Sequence, residues 1–132
     1  MFKIVAILGI TLFQLLVVAP SVASDRKCTP EIAWSDVPSE IRAHLVEAVD
    51  GEISPQGGPF NSTDIIIDST PRARFFGACS ESDGWAVAIE RGGIGYHMQV
   101  FTFAGETLTD KWTAFVPSGG FTPSALVKPA ER

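Results

Sequence analysis

Residues 85–104 read WAVAIERGGIGYHMQVFTFA, two alternating runs on either side of a glycine pair. Strands place successive side chains on opposite faces, and Gly-Gly supplies the backbone angles of a tight hairpin. With Gly92-Gly93 as a two-residue turn, Arg91 pairs with Ile94. Ile89, Val87 and Trp85 then face Tyr96, Met98 and Val100, an entirely apolar set. The opposite face pairs Glu90 with Gly95, Ala88 with His97 and Ala86 with Gln99. A slip of one residue would mix the two sets, so the sorting favours this register.

The sequence continues in the same manner on both sides. Gly105-Glu106 is the next turn signal, followed by the run 107–116 (TLTDKWTAFV). As a two-residue turn it sets Phe103 against Leu108 and Phe101 against Asp110. Phe101, Phe103, Leu108 and Trp112 then share the face of His97; a three-residue turn would move Trp112 to the other side. Upstream, 72–79 (RARFFGAC) is a strand and 80–84 (SESDG) a turn, and the β-branched run 64–68 (DIIID) reads as a further short strand. Strands joined by short turns make an antiparallel meander of four to five members.

Something must cover the large apolar face. Residues 37–50 supply it: Pro38 falls in the first turn, with Asp36 or Val37 at the cap, and Gly51 ends the helix. Ile41, Leu45, Ala48 and Val49 form one stripe, while Arg42, Glu47 and Asp50 face water. His44 follows Glu40 by four residues, the spacing of a solvated pair. The expected fold is therefore α+β, one amphipathic helix packed on a four- to five-stranded antiparallel meander sheet. Residues 51–60 (GEISPQGGPF) form a loop longer than most connections. Asn61-Ser62-Thr63 after it is a formal glycosylation sequon.

Residues 4–19 are almost wholly apolar, with Lys3 before them and Ser21-Val22-Ala23 after. This is the pattern of a secretory signal peptide over 1–23, cleaved after Ala23 or, second, after Ser24. The organisation then reads as an arm over 24–35, a single domain over 36–116 and a turn-rich tail over 117–132, with Phe121 and Leu126 as its anchors. Cleavage after Ala23 leaves nine basic residues against fifteen acidic ones, a formal charge of −6. Nucleic-acid binding needs a basic footprint, which this balance does not offer, and an anionic membrane surface is a poor match. The expected product is periplasmic or secreted, without a stable membrane anchor, as a monomer or dimer. Two cysteines, Cys28 and Cys79, in an exported protein suggest a disulfide. Closing a loop of about 50 residues, it would contribute near 4 kcal/mol in the loop-entropy account.

Chemistry has few footholds. The sequence contains no G-x-S-x-G, H-E-x-x-H, P-loop or G-x-G-x-x-G, and its two His and two Cys have no zinc spacing, so no metal or cofactor is expected. The basic pair Arg72/Arg74 is too small a cluster for phosphate tracking. His97, with Glu90 diagonal to it in the assumed register, is the one candidate general base, and it supports a small hydrolase as an alternative. The face the helix leaves open carries Phe101, Phe103, Trp112, Gln99 and His97, a composition suited to an interface centre. The first expectation is a non-catalytic binding module, of inhibitor or immunity type, meeting another exported protein. The remaining alternative is a structural envelope component.

Overall fold

The computed structural model describes residues 32–129. The expected leader with its cleavage site, and Cys28 with the disulfide expected from it to Cys79, lie outside the described residues. The elements are a 3-10 turn at Trp34–Asp36, helix α1 (Ser39–Val49), strands β1 (Ile53–Ser54), β2 (Ala73–Glu81), β3 (Gly84–Arg91), β4 (His97–Ala104) and β5 (Thr107–Ala114), and a second 3-10 turn at Pro123–Leu126. The sheet order is β1-β2-β3-β4-β5, a meander of four antiparallel strands with β1 added parallel to β2. The α+β architecture, one helix on a mostly antiparallel sheet, is thus present. Among the described residues no helix is long and apolar enough to cross a membrane.

Helix α1 is shorter than its sequence signals. Pro38 takes the cap position, and its carbonyl accepts the first helical bond, from Arg42 N at 2.9 Å. The Asp36 carboxylate is spent one turn earlier, accepting from Ala33 N at 2.8 Å. At the other end Asp50, not Gly51, takes the left-handed conformation, with φ 53°. Asp tolerates that region because its short polar side chain can bond locally. Val37, Ile41, Leu45 and Val49 are buried in one row against the sheet, whereas Ala48 is exposed. Ile32 and Trp34 of the arm pack beside them, with the Trp34 ring 5.5 Å from that of Phe75 and tilted to it by 42°.

The hairpin register differs from expectation. Arg91 pairs with His97, Ile89 with Gln99, Val87 with Phe101 and Trp85 with Phe103. The loop therefore runs over five residues, 92–96, and β4 slides by three positions. An odd shift exchanges the faces of β4. Phe101 and Phe103 go under the helix, and Met98 and Val100 turn to the far side. The cause lies in Gly92 and Gly93. Gly92 N donates to Arg72 O at 2.8 Å and Gly93 N to Ser62 O at 3.4 Å, so both glycines hold the preceding loop instead of making the hairpin turn.

The Gly105-Glu106 turn is the two-residue one, with Ala104 opposite Thr107 and Phe103 opposite Leu108. A bulge at Thr109 then sets Thr102 against Asp110 and Val100 against Trp112. Thus Trp112 leaves the face of Phe101 although the turn is as expected. A second bulge, at Phe76, sends Phe76 and Cys79 to the far side while Phe75 and Ala78 stay under the helix.

That far side is covered by the C-terminal segment. Leu126 is fully buried, and Phe121, Ala125 and Val116 pack with it on Phe76, Cys79, Ala86, Ala88, Met98, Val100 and Trp112. Phe121 meets Phe76 edge-on at 5.9 Å and lies directly on Gly77, where a Cβ would collide with its ring. The molecule has three layers: helix, sheet and tail. The tail, expected as a separate segment over 117–132, packs on the sheet through Phe121, Ala125 and Leu126.

Candidate functional site

The proposed catalytic pair is not assembled. Glu90 stands opposite Met98, and His97 opposite Arg91, so the two residues point to opposite faces of the sheet. The half-buried His97 ring meets the Gly95 carbonyl through Nδ1 at 2.6 Å. Glu90 is buried, and its carboxylate is taken up by Arg74, which donates from Nε at 2.6 Å and Nη2 at 3.2 Å, and by the Tyr96 hydroxyl at 2.5 Å. Arg74 also lies over the Phe60 ring, 4.6 Å from its centroid. This is a closed structural network with its acceptors occupied.

The open aromatic strip is not present either. Phe101 and Phe103 are 2% and 4% exposed, under the helix. Trp112 is on the tail side, and Gln99 accepts from Arg91 Nη1 at 3.0 Å. Of the five residues expected to form a binding face, Phe101 and Phe103 edge a groove between α1 and Leu108, and His97 lies against a separate one, beside Tyr96 and the almost fully exposed Phe115. Among the described residues no group of three His, Cys, Asp or Glu side chains is arranged to hold a metal.

What the molecule does expose is the connection between β1 and β2. Its eighteen residues, 55–72, carry no strand, and 64–68 is not the strand its composition suggests. Ile65, Ile66 and Ile67 are 64%, 70% and 83% exposed, and Ile94 on the neighbouring loop is 92% exposed. Such a run would ordinarily be pulled into a core, since burying one isoleucine is worth about 1.5–3 kcal/mol.

The loop is nevertheless tied down. Asn61 N donates to Pro71 O at 2.9 Å, closing the base of the 61–71 segment. Asn61 Nδ2 donates to Ile65 O at 2.8 Å, while Asn61 Oδ1 accepts from Thr63 N at 3.0 Å and from its hydroxyl at 2.8 Å. Asp68 Oδ1 accepts from Thr70 N at 2.8 Å. The residues of the sequon thus form the internal scaffold of the loop. The Thr70 hydrogen bonds hold the Asp68 carboxyl below its usual pKa, so it keeps its charge into mild acid. The result is a closed-base loop presenting three isoleucines between Asp64 and Asp68, both exposed.

At the foot of this loop is a cleft of about 600 Å3, lined by the C-terminal end of α1, by Pro71 and Arg72, and by Arg91 to Ile94. In the sequence Arg72 belongs to a minor basic pair and Arg91 to a hairpin. Only the fold brings them to one cleft. The exposed isoleucines had a sequence signal, a hydrophobic run inside a long Gly/Pro-rich connection, but β-propensity pointed the other way. No protein-family model matches the chain, and no curated protein or solved structure does.

Proposed function

We propose that this protein is a non-catalytic binding module that docks on another exported protein through the 61–71 loop and Ile94. The observation that supports this is the exposure of Ile65, Ile66, Ile67 and Ile94 on hydrogen-bonded loops. An apolar crest held rigidly in water has lost conformational entropy in advance, so little more is lost on binding. Exposed apolar clusters on ordered loops mark interaction sites. Asp64 and Asp68 flank the crest, so the complementary partner surface is an apolar groove with lysine or arginine on its rim. An inhibitor or immunity-type role is the form of this reading that an acidic exported chain suits best.

A photo-crosslinking residue at position 66 or 94, with one at position 47 on the exposed face of α1 as the control, tests the docking face. The same single species should form from 66 and 94 and not from 47. With that species purified, Ile66→Asp should weaken binding by more than about 2 kcal/mol, some thirtyfold, at unchanged thermal stability. Equal crosslinking from all three positions, or full affinity of Ile66→Asp, would remove the loop from the interface.

A further inference from the structure

We propose that the cleft at the foot of the loop binds an oxyanion, a carboxylate or phosphate group, between the guanidinium groups of Arg72 and Arg91. Both arginines line the same cavity of about 600 Å3. Arg72 Nε is buried and has no hydrogen-bond partner, and no described residue forms an ion pair with either guanidinium. Arg72 lies against the backbone of Gly93, whose φ of 117° and missing Cβ leave room for its terminal nitrogen. Arg91 is fixed by two acceptors, Gln99 Oε1 at 3.0 Å and Val49 O at 3.4 Å. One cation is therefore held in place and the other has an unused donor.

Two like charges sharing a partly desolvated cleft repel each other. Burial first, and the Arg72 charge second, pull Arg91 below its ordinary pKa. An anion between them reverses that repulsion and supplies acceptors to the terminal nitrogens of Arg72, which sit beside Gly93 at the cleft wall and hold no other described group. The planar guanidinium fork suits carboxylate and phosphate oxygens in particular. Asp50 and Glu52, both exposed, also line the cleft. They disfavour polyanions, so the site selects a single oxyanion head group over a polyphosphate or nucleic-acid backbone. This inference does not rest on the docking of the isoleucine crest.

The test follows the arginine Nε–Hε resonances of the 15N-labelled protein during titration with sodium acetate and, separately, inorganic phosphate, against sodium chloride. Arg72 should shift and saturate in at least one arm, with Arg91 following and Arg42, which donates to Val37 O, staying still. Response to acetate alone assigns a carboxylate, and response to phosphate alone assigns a phosphate. Arg72→Gln should weaken the response about tenfold or more, from the loss of a charge-assisted hydrogen bond. Arg72→Lys, which keeps the charge without the fork, should fall between. Because the Arg72 guanidinium holds no other described group and repels Arg91, Arg72→Gln should not lower the melting temperature. Shifts that never saturate, that equal those in chloride, or that persist in Arg72→Gln would overturn the site. Crosslinking from position 66 is read separately, so either reading can fail alone.

Discussion

Tyr96 is the chain's single tyrosine, so its ionisation can be followed in the native protein without assignment. Burial, and then the hydrogen bond to Glu90, push its phenol up to about 12. Native phenolate absorbance should therefore rise well above the ordinary midpoint of about 10. Glu90→Gln should lower the midpoint only in part, because burial is the larger cause. A raised phenol pKa contributes stability that is complete below the unfolded value near 10 and is lost as pH climbs through about 12. A native midpoint at the ordinary value, or a full return to it in Glu90→Gln, would contradict this placement. The same substitution breaks the bidentate pair with Arg74, whose side chain is 27% exposed and can be rehydrated. The cost in urea unfolding should be about 2 kcal/mol, below that of a fully buried pair. Gly77 makes an opposite kind of demand, for absence of atoms. Gly77→Ala drives a methyl into the Phe121 ring and should cost about 1–3 kcal/mol by the same measurement.

Helix α1 offers a paired comparison along one turn. Leu45 is fully buried, whereas His44 is exposed and only approaches Phe103, at 6.3 Å between ring centres. Leu45→Asp should cost several kcal/mol in chemical denaturation, and His44→Ala within about 0.5 kcal/mol. The helix was legible in the sequence because its stripe has one period and one target. The four strands of the meander were legible too, within three residues of their ends. Their registers were less so. Sorting by polarity identifies a register only where one face meets water, and here both faces are covered. Ala86, Ala88, Met98 and Val100 are as buried as Val87, Ile89 and Phe101, so a three-residue slip looked equally apolar. The bulges at Phe76 and Thr109 have no sequence signature that distinguishes them from regular strand. The 64–68 run misled for a related reason. β-propensity measures fit to a pleated, half-buried surface, and this run pairs with no strand of the sheet. The Asn61 and Asp68 side chains bond their own neighbouring backbone instead, which favours a turn-rich loop.

At the scale of the whole molecule, the two ends of the sheet and its second face are what remain to be protected. β1 is only two residues long, a short edge that offers little template for pairing. β5, the other edge, carries Lys111, and its Asp110 is tied to Lys128 of the tail at 3.0 Å. The tail thereby reaches the edge as well as the face. It buries Leu126 completely and sets Phe121 on Phe76. Burying a leucine and a phenylalanine contributes about 1.5–3 kcal/mol each, against a total stability of about 5–15 kcal/mol for a domain. Leu126→Ala alone should cost about 2–5 kcal/mol. Removing everything after Pro117 strips both side chains and bares a face of Ala86, Ala88, Met98, Val100 and Trp112. The truncated protein should then either unfold or associate through that face, seen as loss of cooperative melting or as a concentration-dependent mass in sedimentation. A truncated chain that stays monomeric with an unchanged urea midpoint would mean that the tail rests on the sheet without supporting it. Because the backbone bonds that hold the 61–71 loop run to Pro71 and Gly93 and not to the tail, Leu126→Ala should leave crosslinking from position 66 intact wherever the protein remains folded. The covering of the core and the presentation of the crest are then separable, as they must be if one is architecture and the other is recognition.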